Sequence, residues 1–79
     1  MPQAYLVVHF TASGKRLLPS QPLKMKTPED AINRAKELAT TKDGVVAYKI
    51  EYDESADFYG DPEILFHEGQ IANEFENLM

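Results

Sequence analysis

The stretch from Gly44 to Gly69, GVVAYKIEYDESADFYGDPEILFHEG, constrains this chain more than any other. Two runs rich in β-branched and aromatic residues flank a segment of aspartate, glutamate and serine, the pattern of a long β-hairpin. Val46, Tyr48, Ile50 and Tyr52 alternate with Val45, Ala47, Lys49 and Glu51, so the first arm has an even and an odd face. With Asp53-Glu54-Ser55-Ala56-Asp57 as the loop, Tyr52 falls opposite Phe58 and Lys49 opposite Asp61, a favourable cross-strand charge pair. That register puts Phe58, Ile64 and Phe66 on the even face. Pro62 has no N–H for the ladder, which makes the second arm an edge strand or one bulged near Gly60.

The residues before the hairpin supply what packs against it. Residues 4–11, AYLVVHFT, predict a first strand with Leu6, Val8 and Phe10 on one face and Tyr5, Val7, His9 and Thr11 on the other. Ala12-Ser13-Gly14-Lys15 reads as a turn. Pro19 and Pro22 exclude a helix or a central strand over 15–26, leaving a short edge strand at Arg16–Leu18 or Leu23–Met25. Thr27-Pro28-Glu29-Asp30 combines a hydroxyl cap, proline at the first helical position and two acids in the first turn. Ala31, Ile32, Ala35, Leu38 and Ala39 then form an apolar stripe at helical spacing, and Lys42-Asp43-Gly44 reads as the stop, with glycine at C′. After Gly69, Asn73-Glu74-Phe75-Glu76 could cap a last short helix with Ile71, Phe75 and Leu78 inward, or mark a frayed terminus.

The expected fold is α+β: a three- to four-stranded, mostly antiparallel sheet with one α-helix on one face and an optional short C-terminal helix. Residues 1–79 make a single domain, with 70–79 as a more loosely attached segment. A chain this short buries only about 60–65% of its unfolded surface, which leaves little room for a core plus a deep active-site cavity.

The helix is expected on the even face, over Leu6, Val8, Phe10, Val46 and Ile50. Tyr5, Val7, Val45, Ala47 and Leu65 then form the uncovered face, the candidate interaction face, since contiguous apolar area marks a partner site more often than bare surface. Either Ile71–Leu78 or a second copy of the chain could cover it.

The formal net charge of −5 hides an asymmetry: every lysine and arginine lies between Lys15 and Lys49. Residues 1–49 carry a net +4 and residues 50–79 a net −9. Such a split fits two halves folded against one another, or a basic nucleic-acid face with an acidic mask. The absence of cysteine removes disulfides, thiolate nucleophiles and cysteine zinc sites. No apolar run approaches the roughly 20 residues of a membrane span, and no secretory leader is visible, so a cytoplasmic, membrane-free protein is expected.

Each chemical candidate has a plainer structural explanation. Ala12-Ser13-Gly14-Lys15-Arg16 lacks the first glycine and final hydroxyl of a phosphate-binding loop. The acids Asp53, Glu54, Asp57, Asp61 and Glu63 have Phe58 and Ile64 where an EF-hand needs glycine and glutamate, so turn chemistry explains them better than calcium. His9 and His67 are both expected on the odd face and could meet there if their strands are neighbours, though nothing else completes a metal or acid–base site. No catalytic residue, cofactor or metal is therefore expected.

The segments GKRLLP, the helical EDA and AKELA, GVVAY, the YD loop and GDP together resemble a group of small uncharacterised bacterial proteins, over nearly the whole chain up to Gly69. The resemblance implies a soluble bacterial domain without an assigned activity, and it brings no site residues. The function expected is that of a non-enzymatic protein-interaction module, with an unknown protein or a second copy as partner. The alternative is a binder of nucleic acid or a phosphate ligand that uses the basic N-terminal half under an acidic C-terminal mask.

Overall fold

Two strands with apolar residues on both faces must occupy the centre of a sheet, and residues 3–13 and 44–53 are those strands. The structure, a computed structural model, describes residues 3–53 and 55–71. Its elements are β1 (Gln3–Ser13), β2 (Arg16–Pro19), β3 (Leu23–Met25), α1 (Pro28–Ala39), β4 (Gly44–Asp53), β5 (Phe58–Tyr59) and β6 (Glu63–Gly69). β1 pairs antiparallel with β4 from Gln3 opposite Glu51 to Phe10 opposite Gly44. β2 and β3 line the outer side of β1, while β6 and the two-residue β5 line the outer side of β4. The fold is α+β, as expected. Five strands (β1, β2, β3, β4 and β6) make the antiparallel sheet rather than three or four, and β5 adds a short pairing at the far end of β4.

The extra strand comes from prolines. Both alternatives for residues 15–26 exist, as two halves of one broken edge, with Ser20-Gln21-Pro22 as the break. Ser20 keeps the ladder continuous: its N–H donates to His9 O (2.8 Å), and His9 N–H donates to Ser20 Oγ (3.0 Å). The turn from β1 into β2 is Gly14-Lys15, with Gly14 at φ +61°.

Helix α1 starts as its sequence dictates. Thr27 is the N-cap, its hydroxyl accepting from Asp30 N–H (3.1 Å), and Pro28 opens the helix. Ala31 and Ala35 are fully buried and Leu38 and Ala39 partly so, four of the five residues of the predicted stripe; Ile32 is half-buried outside the cluster that packs on the sheet. The stop differs from expectation. The helix ends at Ala39 with Thr40 as C-cap, and Gly44 is the first residue of β4 rather than a C′ glycine.

Gly44 serves a different need. A Cβ there would collide with Gln70 O and stand only 2.8 Å from Gln70 N, so only glycine lets the chain leaving β6 pass this close. Gly69, at φ +75°, makes the turn that brings Gln70 there, and Gln70 N–H donates to Asp43 O (2.9 Å). Asp43 also ties the start of β4 to β1: its carboxylate accepts from Ala12 N–H (2.6 Å) and its own N–H donates to Phe10 O (3.1 Å).

The hairpin register departs from the simple one. Tyr52 lies opposite Tyr59, Lys49 opposite Glu63 and Tyr48 opposite Ile64. Ala47 then faces Phe66, so Leu65 is bulged out of register. Each shift has a local cause: Gly60 N–H still donates to Glu51 O (2.8 Å), Asp61-Pro62 then leaves the ladder where proline cannot donate, and the bulge adds one residue. Ile64 stays on the even face as expected, but Phe66 is carried to the odd face.

Candidate interaction surfaces

Helix α1 packs on the odd face, not the even one. Ala31 and Ala35 meet Val7, Val45 and Ala47, all fully buried, with Tyr5, Met25, Leu65 and Phe66 around them. The predicted interaction face Tyr5, Val7, Val45, Ala47 and Leu65 is therefore the floor of the core beneath the helix. Side-chain size suits this face, and the hand of the β3–α1–β4 crossover selects it, since β3 and β4 run parallel on either side of β1. An alanine-faced helix sits close to a sheet only over small residues, and the odd face offers valine and alanine where the even face carries Phe10, Tyr48, Ile50 and Tyr52.

The even face carries a second cluster, in which Ile71 packs on Val8, Phe10 and Val46 with Leu17, Tyr48 and Ile64 at its margin. Ile71 is only 5% exposed, so the C-terminal segment is attached to the sheet at least to this residue. The predicted last helix at 73–76 and the inward positions Phe75 and Leu78 lie outside the described residues. Farther along the even face, Leu6, Ile50 and Tyr52 are half-buried and belong to neither cluster. Lys24, opposite Leu6, reaches over the Tyr52 ring at 5.9 Å from its centroid.

The part of the odd face that α1 does not cover is polar. Tyr5 OH donates to Gln3 Oε1 (3.2 Å) and Gln3 Nε2 to Glu51 Oε1 (3.3 Å). Beside them Lys49 Nζ contacts Glu63 Oε2 at 2.9 Å. That hydrogen bond and the carboxylate charge raise the Lys49 pKa above its ordinary value. Lys49, Glu51, Gly60, Asp61 and Glu63 line an open cavity of about 280 Å³ where the outer strand is broken.

Asp53 does turn chemistry, as its composition suggested. Its Oδ1 accepts from Ser55 Oγ (2.7 Å), Ser55 N–H (3.1 Å) and Ala56 N–H (3.4 Å), and the Ser55 hydroxyl leads in holding its pKa below the usual carboxylate value. The described residues contain no cluster of three or more histidine, cysteine, aspartate or glutamate side chains able to hold a metal ion.

The two histidines do not meet. β4 lies between their strands, and the Leu65 bulge puts His67 opposite Val46 on the even face while His9 lies opposite Val45 on the odd face. His9 Nδ1 is buried without a hydrogen-bond partner among the described residues. Burial, then the positive charges of Lys42 and Arg34, hold the His9 pKa below its ordinary value.

Charge is laid out across the sheet, which the two-halves pattern only hinted at. Lys15, Arg16, Lys24 and Lys26, with no acid among them, lie along the β2–β3 edge. Asp57, Asp61, Glu63 and Glu68, with no base among them, lie along the β5–β6 edge. With β1 and β4 between, the two edges stand roughly 14 Å apart at normal strand spacing, beyond the screening length of about 8–10 Å at physiological salt. The two charged segments therefore do not neutralise one another.

No protein-family model matches the chain, and no curated protein or solved structure is significantly similar to it. Among the described residues no helix is long and apolar enough to cross a membrane. What the described residues define is a small sheet-and-helix domain with one helix-covered face, one face that they cover only in part and two oppositely charged edges.

Proposed function

We propose that this domain is a non-enzymatic protein-interaction module whose contact surface is the even face of the sheet, with a second copy of the chain as its first partner. The observation that supports it is that α1 covers only the odd face, while Leu6, Ile50 and Tyr52 remain half-buried beyond the Ile71 cluster. Apolar side chains in one patch gain about 25 cal/mol per Å² when a partner removes them from water. Sedimentation equilibrium from micromolar to millimolar protein tests the reading. Self-association that disappears in a folded Ile50→Glu variant is the expected result. A monomer throughout, or association untouched by Ile50→Glu, overturns it.

The second reading, binding of nucleic acid or a phosphate ligand, is favoured by the gathering of Lys15, Arg16, Lys24 and Lys26 on one edge. It expects a fluorescein-labelled oligonucleotide to bind at low salt, more tightly to a chain ending at Ile71 than to the full chain, with a steep loss as salt rises. Absence of binding by both chains at low salt removes this reading.

A further inference from the structure

We propose that the outer edge of β6 is a docking edge for an extended, lysine- or arginine-bearing strand of a partner protein. This stands on different residues from the even-face reading and does not depend on it.

Among the described residues β6 pairs only with β4, so one side of a seven-residue strand presents backbone N–H and C=O groups without a ladder partner. An unpaired edge is a template for another strand unless it is blunted by shortness, proline, charged side chains (lysine above all) or a bulge. The opposite edge has all three: β2 and β3 are four and three residues long, Pro19 and Pro22 border the break, and Lys24 lies in β3. β6 contains neither proline nor lysine, since Pro62 falls before it; its bulge at Leu65 leaves Phe66–Gly69 as a regular run, and its charges, Glu63 and Glu68, repel an acidic strand rather than a basic one.

Charge then selects the incoming strand. The Leu65 bulge shifts the alternation by one residue, so Glu63 (opposite Lys49) and Glu68 (opposite Val45) share the odd face, and both are exposed; Glu63 already pairs with Lys49 Nζ (2.9 Å), which leaves Glu68 to meet the incoming base. Asp61 extends the negative border past the start of the strand. At that end the open cavity of about 280 Å³, lined by Glu51, Asp61 and Glu63 with Lys49 and Gly60, sets three acids against one base and is large enough to take a side chain from the added strand. A second copy is the wrong occupant: β6 against β6 sets acids against acids, and the basic edge of another copy is the broken one. A basic extended segment of a different protein satisfies both the ladder and the charge.

The probe is a capped eight-residue peptide of alternating lysine and valine, titrated into ¹⁵N-labelled full-length protein at low salt. Two controls accompany it: the same peptide N-methylated at alternate residues, and a glutamate–valine version. The expected result is amide shifts centred on residues 63–69 for the first peptide alone. Binding should weaken as salt rises and fall about threefold or more in Glu68→Lys. Equal binding of the N-methylated peptide reduces the effect to charge attraction and overturns strand addition. Shifts centred on Leu6, Ile50 and Tyr52, equal binding of the acidic peptide, or no binding at low salt also overturn it. The even-face proposal is untouched by any failure here, because Ile50→Glu leaves the β6 edge intact.

Discussion

Replacing Gly44 with alanine tests the tightest backbone crossing in the fold. The new methyl cannot coexist with the carbonyl of Gln70, so either β4 or the chain after Gly69 must move. β4 is held on both sides, by β1 and β6, whereas among the described residues Gln70 is held by one backbone hydrogen bond, to Asp43 O, and by the burial of its neighbour Ile71. The C-terminal side therefore yields. Losing the hydrogen bond costs about 0.5–1.5 kcal/mol, and exposing Ile71 about 1.5–3 kcal/mol. Alanine returns about 0.4–1 kcal/mol by restricting the unfolded chain. The net is a destabilisation of about 1–4 kcal/mol, and its midpoint of about 2.5 kcal/mol lowers Tm by roughly 10–20 °C for a domain of this size. Urea denaturation followed by far-UV circular dichroism measures it, in a cycle with Ile71→Ala. Both variants remove the same Ile71 contacts, so the double variant should be less destabilised than the sum by about 1 kcal/mol or more. Full additivity, or a Gly44→Ala cost under about 1 kcal/mol, refutes the reasoning.

Acid should destabilise the protein through His9. Its folded pKa lies below the ordinary value of 6.5, with burial as the leading cause and Lys42 and Arg34 adding to it. The unfolded chain therefore takes up a proton first, and the His9 contribution, present above about pH 6.5, is lost as pH falls through that value toward the folded pKa. Urea midpoints between pH 5 and 8 should slope more steeply for the native chain than for His9→Gln, and parallel slopes would falsify the assignment. Ala35→Leu should cost about 1–3 kcal/mol, because the fully buried methyl of Ala35 faces the Val7–Val45–Ala47 floor without space for a larger group. Unchanged thermal stability in that variant would show that the helix rides higher over the sheet than these contacts require.

What the residues determine by themselves is what depends on neighbours along the chain. Thr27 and Pro28 set the helix start because a cap and a fixed φ act within one turn, and the Ala31–Ala35–Leu38 stripe follows from helical spacing. The two central strands announce themselves by their alternation, and Asp53 by the hydrogen bonds it makes two and three residues on. Tertiary structure decided everything that depends on which surface meets which. β1 and β4 are apolar on both faces, so alternation defines two faces without saying which the helix takes. β3 and β4 run parallel on either side of β1, and the hand of the β3–α1–β4 crossover makes that choice. The registers of β5 and β6 depend on a proline gap and a bulge whose cost is balanced only by cross-strand contacts. Those shifts moved Phe66 to the core face, His67 away from His9, and Glu68 alongside Glu63. The +4 and −9 halves were plain in the sequence, but the placement of Lys15, Arg16, Lys24 and Lys26 along one sheet edge and of Asp61, Glu63 and Glu68 along the other was not, because strand order is set by long-range pairing and leaves no local mark.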